Sequence, residues 1–194
     1  MLLFAFIACS TDKPELDPDT RSFTVECSRT PYNIHFKFPK SFISIRELDD
    51  AKQMDTTDVE LNWILDMQYE NPEAYIFYDS LNKHTNVIIK AGHRVDINRI
   101  ERSPTFFTVP AVPLDKVFVG ENEERKIVFD SGKSQHEEKT YYKRKYEVKS
   151  DTVLYIDTYF ITTKWQSTIA VVRSLSEIDL DSAILNYTFS RREE

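Results

Sequence analysis

Three glycines in 194 residues, at positions 92, 120 and 132, are too few and too far apart to build a phosphate-cradling loop. A nucleotide site of that kind is therefore not expected. Cysteine is as scarce. Cys9 and Cys27 could form one disulfide or be two unrelated thiols. The four histidines, His35, His84, His93 and His136, are scattered, and there is no His-Glu-x-x-His, Cys-x-x-Cys or Gly-x-Ser-x-Gly. Each histidine reads as a lone surface residue; only a cluster formed in space could make them metal ligands. No apolar run approaches the roughly 20 residues of a membrane-spanning helix. Positive charge is in deficit, with 25 Lys and Arg against 32 Asp and Glu and a net charge of −7. A general nucleic-acid binder needs the opposite balance.

What the chain does have is aromatic and β-branched residues: 41% of it is hydrophobic, with 10 tyrosines and 13 phenylalanines. That is enough for one core in one domain. The densest stretch, Tyr141–Ser174, reads as an antiparallel meander broken by polar turns at Ser150–Asp151 and Lys164–Ser167. Its first strand alternates. Tyr142, Arg144, Tyr146 and Val148 form one mostly apolar face, and Lys143, Lys145, Glu147 and Lys149 form an opposite face predicted to be solvated. Val153–Ile161 and Ile169–Val172 are apolar on both faces, as central strands covered from two sides would be.

Around this stretch the pattern changes several times. Phe23–Glu26 and Asn33–Phe38 look like strands about a turn, with Pro39 ending the second. Thr57–Glu70 carries Val59, Trp63, Ile64, Leu65 and Met67 at helical spacing, and Asn71-Pro72 stops it. Trp63 there is expected to anchor the core. Tyr75–Ala91 reads as a hairpin, and His93–Ser103 as either a short helix or a loop. Phe106–Val119, with Pro110 and Pro113, should be extended without being a central strand. Lys126–Asp130 reads as a short strand, Ser131–Lys139 as a charged loop, and Glu177–Phe189 as a closing helix capped by Asp179 or Asp181. The basic and aromatic residues of Lys139–Lys149 interleave as in some nucleic-acid platforms, but that spacing is also a solvated strand's. Asp49, Asp50, Asp151 and Asp157 could pair for acid–base work, although no spacing selects a pair. Nothing in the residues calls for a cofactor or a metal.

Met1–Ala8 is wholly apolar and runs straight into Cys9-Ser10. Phe6-Ile7-Ala8-Cys9 resembles the end of a bacterial lipoprotein signal peptide, with Phe6 where leucine is usual. The resemblance implies cleavage after Ala8, lipid on Cys9 and attachment to a membrane. The basic n-region is missing, which a start codon upstream of Met1 would explain. Ser10–Arg21 is rich in acid and proline and should be a disordered tether. Its acidity resembles the export signals of Bacteroidetes surface lipoproteins. Asp55-Thr56-Thr57, Asp79-Ser80-Leu81, Asp151-Thr152-Val153 and Asp181-Ser182-Ala183 are similar to the O-glycan acceptors of that phylum. With Cys9 lipidated, Cys27 would be a small core residue.

His35-Phe36-Lys37-Phe38-Pro39-Lys40 is similar to the early Phe-x-x-Pro segment of PsbP-like domains, and Trp165–Arg173 followed by Asp179–Phe189 resembles their last strand and terminal helix. That resemblance implies an α+β fold, with a single antiparallel, meander-rich sheet flanked by helices. It carries over no catalytic residue. The expected organisation is a signal peptide at 1–8, a lipidated tether at 9–22 and one domain at 23–194. The expected protein is an envelope lipoprotein, anchored in the outer membrane on its periplasmic or surface side. It should be a non-enzymatic module for binding a protein partner rather than nucleic acid. An envelope glycan-binding protein or hydrolase is the alternative.

Overall fold

A computed structural model describes residues 19–27, 29–47, 59–98, 124–149 and 152–192, without the side chains at 59–61, 63, 124 and 125. Cys9, its tether, Asp49, Asp50, Asp151, the Trp63 side chain and the segment Phe106–Val119 lie outside that description.

The described chain is mostly strand, in two antiparallel sheets. The small sheet places β2 (Tyr32–Pro39) between β1 (Thr20–Glu26) and β11 (Thr188–Arg191). The large one runs β3 (Phe42–Ser44), β4 (Tyr75–Asp79), β5 (Asn86–His93), β10 (Gln166–Ser174), β9 (Val153–Thr162), β8 (Lys139–Lys149) and β6 (Glu124–Asp130). A short β7 (Ser134–His136) shares the outer edge of β8 with β6. The turn between β7 and β8 puts Glu137 at φ 53°, the left-handed conformation that tight hairpins demand.

The expectation of a single sheet flanked by helices is therefore wrong, and the two-sided apolar strands show why. They do need two covers, but one cover is a second sheet. Phe23, Val25, Ile34, Phe36 and Phe38 of the small sheet pack on Phe77, Val87, Ile89, Tyr159, Ile161, Ala170 and Val172 of the large one. Each large apolar side chain sealed there contributes about 1.5–3 kcal/mol. The opposite face of the large sheet is covered by α1 (Val59–Glu70), through Ile64 and Met67 against Ile45, Ile76, Ile88 and Val171. Asn71 closes that helix by donating its backbone N–H and Nδ2 to the Met67 carbonyl, at 3.0 and 3.2 Å. Farther along the same face, Ile97 packs on Tyr142 and Phe160.

The closing helix is also shorter than predicted. Only α2 (Asp181–Leu185) is helical, and Thr188–Arg191 becomes β11 against β2. Ile184, Leu185 and Tyr187 point into the main core, and Tyr187 packs on Phe36 with ring centroids 5.0 Å apart. Neither Asp179 nor Asp181 is the N-cap, which is Leu180 without a side-chain cap; the Asp179 carboxylate instead accepts the Asp181 backbone N–H at 2.9 Å in the stretch that leads into the helix.

Candidate binding cleft

The charged face of β8 is solvated only toward its far end, where Lys149 is exposed; Lys145 and Glu147 are half-buried and Lys143 is buried, which corrects the sequence reading. Lys143 is only 4% exposed because β9 and α2 cover it. Its Nζ lies 3.2 Å from Asp157 Oδ2, contacts Asp181 Oδ1, and sits 5.0 Å from the centre of the Tyr159 ring. Tyr159 donates its hydroxyl to Asp181 Oδ1 at 2.5 Å, and Lys145 Nζ stands 3.6 Å from Asp157. Lys139 is buried as well, 3.3 Å from Glu137 and 4.8 Å from the Tyr187 ring. Period-two alternation correctly separated the two faces of β8. It could not say that one carboxylate from β9 and one from α2 would close over the Lys143 cation.

This cluster holds Asp157, one of the carboxylates considered for acid–base work, and pairs it through Lys143 with Asp181. Burial raises the Asp157 carboxyl above its usual range, and Lys143 and Lys145 only partly offset this. Burial also pushes Asp181 up, but hydrogen bonds from Lys143 and Tyr159 outweigh it and leave that carboxyl low. Burial and the Asp181 carboxylate together raise the Tyr159 hydroxyl far out of titration range. The adjoining cavity, lined by Tyr155, Lys145, Asp157 and Ile178, measures about 20 Å³. That is room for a water, not a substrate. The cluster is a structural tie between β8, β9 and α2.

The histidines do not converge. His35 bridges Thr24 and Ser190 across the small sheet at 3.1 and 2.7 Å, and His136 meets Asn186 at 2.5 Å. His84 is exposed in the β4–β5 turn, and His93 is exposed at the end of β5. Among the described residues no group of His, Cys, Asp and Glu is arranged to hold a metal. Cys27 is a buried free thiol at the end of β1.

Open space lies around the end of β5 instead. A cleft of about 260 Å³ is lined by Glu26, Arg29, Arg46, Glu73, Tyr75 and Arg192, with Ala91 at its edge. A second, of about 140 Å³, shares Arg29, Glu73 and Ala91 and continues past Lys90 and His93 onto an apolar floor of Val95, Phe160 and Ile169. Two of the arginines are fixed by carbonyls. Arg46 Nη2 donates to the Pro72 and Ala74 carbonyls at 2.6 and 3.2 Å, with its guanidinium 3.8 Å above the Tyr75 ring. Arg192 Nη2 donates to the Cys27 carbonyl at 2.8 Å and also to that of Thr30. Carbonyls hold a guanidinium in place without neutralising it. Glu73 is shared between Arg29 and Lys90, at 3.2 and 3.4 Å. Four cations thus meet two carboxylates, a surplus of two positive charges on a chain of net −7.

Beside the clefts, the hairpin tip between β9 and β10 presents Trp165, 43% exposed and stacked on Tyr32 at 4.8 Å. Thr30 donates to Gln166 at 2.7 Å and ties the tip to the small sheet. Sequence reasoning missed this site because its residues come from six separated segments. One signal was available: the two arms of the Tyr75–Ala91 hairpin differ in length, which leaves the longer arm overhanging.

Among the described residues no helix is long and apolar enough to cross a membrane. No family model matches the chain, and no curated protein matches it. Among solved structures it is similar to the solution structure of cyanobacterial PsbP (CyanoP) from Synechocystis sp. PCC 6803. That similarity covers 88% of this chain and 92% of that one, at 10% identity and a TM-score of 0.48.

Proposed function

We propose that this protein is a lipid-anchored, non-enzymatic binding module of the cell envelope, and that the arginine-lined cleft is where a protein partner docks. The anchor rests on Ala8-Cys9 and the acidic tether that follows. The docking place rests on one observation: a surplus of positive charge lies in open space, with the exposed Trp165 stacked on Tyr32 nearby. Unneutralised guanidinium groups on rigid carbonyl mounts are ready to receive carboxylates of a partner.

Two measurements test the two halves. Wild type should partition into the detergent phase and incorporate radiolabelled fatty acid, whereas Cys9→Ser should do neither. A photo-crosslinking residue at His93, beside the cleft, should give a defined envelope adduct that Arg29→Glu abolishes. The same residue at Leu81, in the exposed β4–β5 turn, should give none. Equal adducts from both positions would discard the cleft as the docking place. Trp165 on Tyr32 also supports a glycan-binding reading, since an exposed aromatic face suits a sugar ring. Trp165→Ala with loss of retention on an envelope-polysaccharide column would favour that reading.

A further inference from the structure

β4 pairs with β5 only as far as Tyr75 opposite Ile89. Beyond that point, Lys90–His93 has β10 on one side, with Gln166 opposite His93, and no strand on the other among the described residues. The chain turns away at 71–74 instead of continuing β4. A segment four residues long is therefore an open sheet edge in the middle of the molecule.

The two clefts join at this edge through Arg29, Glu73 and Ala91, and each extends over a different face of it. Ala91 and Tyr75 belong to the side facing the small sheet, where the larger cleft holds Arg29, Arg46 and Arg192. Lys90 pairs with Ile169 and Gly92 with Ser167, on the side of Phe160 and Val95, where the smaller cleft has its apolar floor. At Gly92 a Cβ would meet nothing within 4 Å, so the face above it is open to a side chain of an added strand. The Arg29–Glu73 pair spans the notch with both side chains about half exposed, 58% and 49%. An ion pair this open contributes only about 0–1 kcal/mol and yields readily to an incoming carboxylate.

Resting on the cleft reading above, we propose that the partner is recognised as an extended peptide that adds a strand to β5 at Lys90–His93. Successive side chains of a strand point to opposite faces. The added segment would therefore send acidic side chains into the arginine cleft and apolar ones onto Val95, Phe160 and Ile169. Main-chain hydrogen bonds supply affinity in this mode of recognition, and the alternating pockets supply specificity. The expected recognition pattern is an acidic residue alternating with an apolar one over about four residues.

The test uses the full chain carrying Cys9→Ser and three labelled hexapeptides: alternating glutamate and valine, three glutamates followed by three valines, and alternating lysine and valine. The alternating acidic peptide should bind about tenfold more tightly than the block peptide of identical composition. Its binding should protect the backbone amides of Ala91 and His93, which face the open edge, in NMR exchange experiments, while that of Gly92, which faces β10, gains no new partner. Arg29→Glu should weaken it and favour the lysine peptide. Equal binding of the alternating and block peptides, with no protection at Ala91 and His93, would overturn strand addition while leaving the cleft as an anionic docking place. If no peptide binds while the His93 adduct persists, strand addition is likewise overturned, because the partner then uses a folded surface. Loss of the adduct's dependence on Arg29 would overturn the cleft reading itself.

Discussion

The molecule carries two concentrations of charge, one on β8 and β9 and one around the overhanging end of β5, and they are built on opposite principles. Around Lys143 the charges are matched and enclosed, with two carboxylates, a tyrosine hydroxyl and space for a single water. Around Arg46 and Arg192 the cations are held by carbonyls, left unmatched and faced with several hundred Å³ of open space. A buried ion must be compensated in place, because uncompensated charge in a low-dielectric interior is costly. An arginine at an open cleft stays hydrated and can wait for its counter-charge. Positive side chains thus tie the fold together around Lys143 and stand unmatched at the cleft.

The comparison is broken most severely at Lys143. Lys143→Ala leaves Asp157 buried beside Lys145 alone and should cost about 3–5 kcal/mol in urea melts. A double variant, Lys143→Met with Asp157→Leu, removes both charges at once and should recover most of that loss. A cost within about 0.5 kcal/mol for Lys143→Ala would mean that the cluster is solvated after all.

Tyr159→Phe comes next. It deletes a hydrogen bond to a charged acceptor and should cost about 1.5–3 kcal/mol, visible as a lower urea midpoint.

Acid sharpens the contrast within the cluster. Asp181 is held below its ordinary value of 3.8, so its contribution is complete above that value and is lost as pH falls through the lower folded one. Asp157 runs the other way. Its raised carboxyl contributes stability below its ordinary value and loses it as pH rises through the folded one. Urea midpoints taken from neutral pH down into strong acid should show a shallower loss in Asp181→Asn than in wild type. A slope identical to wild type would remove Asp181 from the cluster's energetics.

The smallest effect belongs to the cleft. Arg29→Ala breaks only an open ion pair and should change stability by at most about 0.5 kcal/mol, while the affinity for anionic peptides drops. A large stability loss there would make the cleft a structural device like the Lys143 cluster.

Much of the strand layout was legible, because alternation marks faces whatever lies against them. The β1–β2 pair, the β4–β5 hairpin and the β8–β9–β10 meander all fall where periodicity placed them. What covers a face was not legible. Lys143 alternates with Tyr142 as any solvated lysine would, and only the approach of Asp181, 38 positions away, turns it inward. Tyr187 and Phe189 fit a helical stripe as well as a strand. The choice was made by the empty edge of β2, to which Thr188–Arg191 could pair. The cleft arginines, at 29, 46 and 192, share no motif because what joins them is the end of a sheet.

That last pairing also governs how the molecule comes to be folded. β2 reaches across the chain to β11, and His35 hydrogen-bonds Ser190, 155 positions downstream. Contacts so distant along the chain close late, because the entropy of the intervening loop must be overcome before they stabilise anything. The small sheet, and with it the packing of Tyr187 on Phe36, is completed only when Tyr187–Arg191 have left the ribosome. Until then one edge of β2 stays unpaired and the Phe36 ring lacks its Tyr187 neighbour, so a chain that stops before Tyr187 should expose an open strand edge.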